Sequence, residues 1–274
     1  MEKEKRGSIL LEIVILLLSL LVVVPIGYIF LSSIKTPAQI HVPLAMPTEF
    51  FTGNFETVLR RVNLPRIYFN SVLVAVVSIF FLIALSSLAS YSLARAKNKM
   101  FTVIYIIFLS GFMIPFQSGM LPLFTLIRSL GLMNKLGALN VVQIGTFLSF
   151  AILIYTGFIK SVPRELDQAA LIDGCGLIRT FVFIIFPLLK PATVSVIVTT
   201  LVFIWNDFMN PLLFITTTNK MTLTIGMYSF MGEHRSDYGP IFALAIFAII
   251  PPVILFLSLQ RYFYKGMVAG SVKG

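Results

Sequence analysis

The sequence predicts an all-α integral membrane protein with six transmembrane helices. Of its 274 residues, 58% are hydrophobic and only 12% are charged, and the mean hydropathy is +0.96. Soluble proteins carry about a quarter charged residues, so this chain is expected to lie mainly in lipid. Six apolar runs each contain at least the roughly 17 residues that a spanning helix needs. The predicted spans, within one transmembrane domain over residues 1–274, are 9–31, 72–93, 101–127, 136–159, 191–214 and 241–259.

The first, third and fifth spans need separate justification. The run 9–31 follows a charged leader, so a cleaved signal peptide is the alternative; its length and the lack of a small-x-small cleavage site favour a retained span. The third run is interrupted at Pro115 and Pro122, which predicts a bend or a segment along the interface. The fifth span is placed after Lys190, because a lysine between two prolines is disfavoured at mid-membrane.

The second run contains recurring small residues, which let helix backbones approach closely in lipid. We therefore expect this helix to pack against others. The residues concerned are Ser78, Ala84, Ser86, Ser87, Ala89 and Ser90.

The net charge of +10 has two readings. A nucleic-acid surface would need basic residues clustered on one soluble face, whereas here they lie in the gaps between apolar runs. Thirteen of the 21 Lys and Arg residues fall on the side that holds the N-terminus, and the positive-inside rule makes that side cytoplasmic. An even number of spans then places both termini, and the segment 161–180, in the cytoplasm.

The sequence offers no catalytic or metal-binding constellation. Cys175 is the single cysteine, and His41 and His234 are far apart with no ligand spacing around either. No G-x-x-x-x-G-K-[ST] string occurs, so no nucleotide-binding loop is recognisable. An intramembrane enzyme would need a nucleophile with a base, or a metal pair. An ion-coupled secondary transporter would need paired acids or histidines within spans, and only Asp207 and the edge-placed Glu12 are available.

One charged, small-residue segment, 163–176, lies between two long apolar runs. Pro163 suits a first helical turn, Glu165 and Asp167 complement the helix N-terminus, and Gly174 suits the left-handed C′ position. A further set at i, i+3, i+4 and i+7 forms one face of low relief, which could seat in a groove of another protein. The alternative is an ordinary helical turn between spans. The face comprises Leu166, Ala169, Ala170 and Asp173.

A second candidate site lies in the fifth span at Trp205, Asn206 and Asp207. An acid deep in a span is a functional-site hypothesis by default, because burying it is costly. Against this, the predicted span places Asp207 toward its outer end, where water could reach the carboxylate. The aromatic face of Trp205 could stack on sugar C–H groups, and the Asn206 amide offers a donor and an acceptor. The alternative is an interfacial tryptophan anchor beside polar helix contacts. These residues are therefore candidates for the translocation path.

The segment 163–176 resembles the EAA loop of the membrane subunits of bacterial and archaeal ATP-binding-cassette importers. The matching positions are Ala169, Ala170, Gly174, Ile184 and Pro187. Gln168 stands where glutamate is usual and Phe186 where leucine is usual. Gln168 cannot form the salt bridge expected of that glutamate, and a hydrogen bond would replace only part of it.

The likeness extends to the carbohydrate-importer branch, in particular its smaller six-span subunit of the maltose-permease G type. It is carried by the strings 87–95, 113–117, 130–134 and 205–212 and by the tail 260–274.

The resemblance implies a type I importer fold and a non-catalytic permease that forms half of the path for a sugar or oligosaccharide. Its 163–176 loop would dock on a cytoplasmic ATPase, through Glu165, Leu166, Gln168, Ala169, Ala170, Asp173 and Gly174. The implied partners are a second, non-identical permease, two ATPase subunits that bind ATP and Mg²⁺, and an extracytoplasmic solute-binding protein; this chain would need no cofactor. In the family resembled, the main sugar contacts are thought to lie on the larger permease. The same machinery carrying a non-sugar solute stays open as an alternative.

Overall fold

The structure is a computed structural model that describes residues 2–43, 45–232 and 236–271, with side chains described between residues 11 and 258 of these ranges. Every regular element within them is helical, which confirms the all-α class. His234 and the last three residues of the tail 260–274 lie outside the described residues.

Thirteen α-helices occur in the described residues, with a 3-10 helix at Phe116–Gly119, another at Thr218–Lys220 and a π-helical turn at Phe181–Ile185. They are α1 Glu2–Ser33, α2 Gly53–Arg61, α3 Leu64–Arg95, α4 Lys99–Gly111, α5 Met120–Ser129, α6 Leu136–Ser161, α7 Glu165–Ile172, α8 Leu177–Thr180, α9 Phe186–Leu188, α10 Lys190–Trp205, α11 Met209–Phe214, α12 Leu223–Tyr228 and α13 Tyr238–Ser271.

The predicted spans correspond to four long apolar helices and two bent pairs. The long segments are Leu11–Ser33, Leu64–Arg95, Leu136–Ser161 and Tyr238–Ser258. The pair Lys99–Gly111 and Phe116–Ser129 bends by 96°, at the break where Pro115 predicts one. The pair Leu177–Leu188 and Lys190–Trp205 bends by 73°, and α10 begins at Lys190, close to the predicted start of the fifth span. If each pair is one span, the total is six.

The described chain divides into two compact units, and the prediction of one transmembrane domain stays a prediction. The first unit joins Met1–Leu64 to Ile225–Ile250. In this unit Lys35 is buried, at 1% exposure, and its Nζ donates to the carbonyls of Val42 and Pro43 at 2.9 Å each. Two carbonyls and the nearby Tyr28 ring, 5.8 Å away, therefore surround this buried ammonium.

The second unit, Pro65–Thr224 with Pro251–Gly274, contains the candidate sites. The four serines among the predicted small residues of α3 are buried in it, whereas Ala89 is half-buried and Ala84 is exposed. Ser90 Oγ donates to the Ile152 carbonyl of α6 at 3.2 Å. Asn140 of α6 donates to the Val74 carbonyl at 3.0 Å and to Ser78 Oγ at 2.9 Å. One apolar cluster joins α3, α6 and the 181–196 segment, and its members include Leu82, Tyr91, Tyr155, Phe181, Ile185 and Val196.

Candidate functional site

Helix α7 is an eight-residue helix with a well-formed C-terminal cap. Gly174 has a φ of +79°, the left-handed conformation expected at C′. Its N–H donates to the Leu171 carbonyl at 3.1 Å, and the Cys175 N–H donates to the Ala170 carbonyl at 2.8 Å. These two bonds are those of a Schellman motif, in which the C′ and C″ amides satisfy the last helical carbonyls. The conformation predicted for Gly174 is therefore confirmed.

The exposed surface of α7 differs from the low-relief face that the spacing predicts. Leu166, Ala169 and Asp173 are exposed, but Ala170 is only 2% exposed and packs within its own chain. The prediction that Ala170 is open to a partner is therefore wrong. The physical reason is that Asp167, one turn earlier on the same side, is drawn inward by polar partners.

The exposed surface formed by the end of α7 and the start of α8 is more apolar than the sequence indicated. In α7 Ile172 is 86% exposed and Leu171 is also exposed, and in α8 Leu177 and Ile178 are exposed. Glu165 and Gln168 are exposed too. Large aliphatic side chains in water are costly, so a cluster of four next to charged residues indicates a contact surface.

Asp167 makes the contacts that orient α7, and sequence reasoning missed this role. Tyr91 Oη donates to Asp167 Oδ1 at 2.6 Å. Arg95 Nη2 lies 2.8 Å from Asp167 Oδ2 without the alignment of a hydrogen bond, so that contact is mainly electrostatic. Both charged side chains are mostly buried, at 14% and 15% exposure. The sequence signal that could have indicated this contact was a basic residue at the C-terminal end of α3, Arg95, together with an acid in the 163–176 segment.

Further hydrogen bonds join the end of α3 to the residues just before α7, with an arginine of each segment donating to a carbonyl of the other. Arg95 Nη1 donates to the Val162 carbonyl at 3.1 Å, and Arg164 Nη2 reaches the Ala94 carbonyl at 3.5 Å. The Tyr91 ring lies 5.3 Å from the Phe181 ring. A largely apolar cavity of about 620 Å³ lies beside these contacts, between α3, α7 and α8.

The second candidate, Trp205 to Asp207, does not form one site. Trp205 is 6% exposed and meets the Tyr68 ring edge-on at 6.3 Å. Asn206 is exposed and donates to the Val202 carbonyl at 2.8 Å. Because the three side chains have different surroundings, a shared sugar-binding surface finds no support in this geometry.

Asp207 instead closes the break between α10 and α11. Its Oδ1 accepts from the Asn210 N–H at 3.2 Å, and its Oδ2 accepts from Asn210 Nδ2 at 2.9 Å and from Gln143 Nε2. Phe208 is the N-cap residue of α11, and the Asp207 carboxylate just before it satisfies a backbone amide of the first turn that has no partner within the helix. The Thr224 hydroxyl also donates to the Asp207 carbonyl at 2.7 Å. The place of Asp207 in the translocation path stays a prediction.

Asn134 is a further residue that the sequence did not single out as a site. It has a φ of +56°, and its Oδ1 accepts from the N–H groups of Thr216 and Thr217 at 3.3 Å each. Lys220 Nζ donates to the Asn134 carbonyl at 2.7 Å. Asn70 Nδ2 donates to the carbonyls of Asn219 and Met221, so the segment 215–221 is held from two sides.

The long apolar helices, the bent pairs and the exposed, capped α7 define a multi-span membrane protein with a surface for a partner. Residues 72–269 match the family described as binding-protein-dependent transport system inner membrane component. The chain belongs to this family.

Two relatives and one solved structure extend this assignment. The chain is 32% identical to the melibiose/raffinose/stachyose import permease protein MelC of Bacillus subtilis, over 92% of this chain and 91% of that protein. It is 33% identical to the probable starch degradation products transport system permease protein AmyC of Thermoanaerobacterium thermosulfurigenes, over the full length of both.

The fold resembles a chain in the crystal structure of a bacterial ABC transporter involved in the import of the acidic polysaccharide alginate. The TM-score is 0.82 at 20% identity, covering 96% of this chain and 98% of that one. The chain thus has the type I importer fold and is a membrane-embedded permease component of a binding-protein-dependent transport system.

Proposed function

We propose that this chain forms half of the translocation path of an ATP-driven importer for a sugar or oligosaccharide. Two relatives that match nearly the whole chain carry the names of a melibiose/raffinose/stachyose import permease and of a probable permease for starch degradation products. Similarity over the full length, including the segments outside α7, favours a shared class of solute over shared machinery alone. The chain itself binds no cofactor and performs no chemistry.

The observation that carries the coupling role is the exposed, capped helix α7. It presents Glu165, Leu166, Gln168, Ala169 and Asp173 together with Ile172 to the surroundings, while Gly174 ends the helix sharply. In this proposal α7 docks on a cytoplasmic ATPase subunit, which binds and hydrolyses ATP with Mg²⁺. Gln168 would contribute a hydrogen bond rather than a salt bridge to that contact.

The proposed assembly contains this chain, a second and non-identical permease, two ATPase subunits and an extracytoplasmic solute-binding protein. The charge bias puts both termini and α7 on the cytoplasmic side. Closure of the ATPase pair would displace α7 and switch the helices between inward-open and outward-open states as packed bodies.

The test is uptake by the complete complex in proteoliposomes with its binding protein, against a panel of mono- and oligosaccharides, amino acids and inorganic ions. We expect ATP-dependent uptake of at least one saccharide and binding-protein-stimulated ATP hydrolysis. Uptake driven by an ion gradient without ATP would contradict the ATP-driven mechanism. ATP-driven uptake confined to a non-sugar solute would retain the mechanism and contradict the substrate class.

A further inference from the structure

Three side chains connect α7 to the end of α3, and we call them the inner link: Tyr91, Arg95 and Asp167. The hydroxyl–carboxylate bond of 2.6 Å has the length of a charge-assisted hydrogen bond. The ion pair of 2.8 Å lies in a mostly buried environment, where screening by salt is weak. The inner link is therefore stronger than an ordinary surface contact between a loop and a helix.

Helix α7 depends on such contacts for its position. Isolated helices shorter than about 12 residues are marginal in water, and α7 has eight. Its open side carries Leu166, Ala169 and Ile172, whereas its inner side carries Asp167 and Ala170. A force applied to the open side must pass into the protein through the inner side or through the chain ends.

The backbone at the two ends of α7 leads to α6 and α8, not to α3. The N-terminal end of α7 continues into α6 through Val162, and its C-terminal end continues through Gly174 into α8 and the π-helical turn. Helix α3 has no direct backbone connection to α7, because residues 96–164 separate them. Asp167 supplies its charged contact with α3.

We propose that Asp167 and Arg95 are positioning residues of the transport cycle, whose ion pair, supported by Tyr91, makes α3 move together with α7. This inference rests on the proposed docking of α7 on the ATPase. Breaking the inner link leaves the exposed docking side unchanged. The ATPase then still binds and hydrolyses ATP, but its movement reaches α3 poorly.

The test compares Arg95→Gln with Lys97→Gln in the complete complex. Both variants remove one positive charge near the end of α3, but Lys97 is exposed and lies outside the inner link. ATP hydrolysis and solute uptake are measured in the same proteoliposomes with the loaded binding protein. We expect Lys97→Gln to keep the wild-type uptake per ATP and Arg95→Gln to lower it about fivefold or more, the lower end of typical coupling between sites.

A second variant guards against simple misfolding. Arg95→Gln leaves Asp167 buried without its counter-charge, which destabilises proteins strongly. The double variant Arg95→Gln with Asp167→Asn removes both charges and leaves no buried charge without a counter-charge, so it is expected to assemble and to show the same fall in uptake per ATP. An unchanged ratio of uptake to ATP hydrolysis would overturn the proposal, even where both rates decline in equal proportion. Loss of the assembled complex in both variants would make the contact purely structural and would also overturn it.

Ile172→Asp separates this inference from the docking role of α7. The substitution places a charge at an 86% exposed position of the docking side and leaves the inner link intact. We expect it to reduce recovery of the ATPase with the permease. Wild-type recovery would contradict the docking proposal, whereas a wild-type ratio in Arg95→Gln would contradict the inner link alone.

Discussion

Substitution of Gly174 isolates the contribution of the α7 cap, because the backbone conformation there is the only obstacle to a side chain. A Cβ built on Gly174 meets nothing within 4 Å, so the added atoms have room. Its φ of +79° costs an L residue roughly 1 to 2 kcal/mol, least for asparagine and most for a β-branched residue. A change of that size shifts an equilibrium about 5- to 30-fold. Transport activity is expected to fall in the order wild type, Gly174→Asn, Gly174→Ala and Gly174→Val.

The assay measures binding-protein-stimulated ATP hydrolysis and uptake by the assembled complex at equal amounts of membrane-inserted protein. Gly174→Val is expected to lower both while the chain still reaches the membrane. Gly176→Ala is the matched control, because Gly176 has an ordinary φ of −70° and its Cβ also has open space. Wild-type uptake by Gly174→Val, or an equal loss in Gly176→Ala, would refute the argument from the cap.

Two further predictions test the geometry around the sites. Ala170→Leu should destabilise the protein by about 1 to 3 kcal/mol through overpacking of a 2% exposed position, which lowers its Tm; Ala169→Leu, one residue earlier and exposed, should leave Tm unchanged and weaken ATPase recovery. Equal Tm values would contradict the assigned orientation of α7. Asn134→Ala should cost about 0.5 to 1.5 kcal/mol, because the exposed Thr216 and Thr217 amides lose their intramolecular acceptor, and should speed proteolysis within 215–221. Unchanged proteolysis would show that Asn134 does not hold that segment.

The local features of α7 could be predicted from the sequence because they depend on neighbouring residues. Gly174 takes the left-handed conformation because glycine lacks a Cβ and the preceding helix needs its carbonyls satisfied. The bend at Pro115 follows for the same kind of reason, since proline removes a backbone donor. The small residues of α3 also correctly predicted a closely packed helix.

The contacts that orient these elements could not be predicted in the same way. Asp167 and Arg95 are far apart in sequence, and helix periodicity alone does not specify which side of an eight-residue helix turns inward. The inward turn of Asp167 is what buried Ala170 and exposed Ile172. Asp207 suggested a functional site because an acid within a span is costly, but Asn210 and Gln143 supply donors that satisfy its carboxylate.

The sequence by itself determined the class of this protein: composition and apolar run length specify a multi-span helical membrane protein, and the EAA-like segment indicates its family. These properties depend on transfer of side chains to lipid and on local backbone preferences, both of which can be read residue by residue. Only the tertiary structure decided which side of α7 is open and that α3 is its charged partner. Such contacts depend on the packing of distant segments, which brings Asp167 to Tyr91 and Arg95.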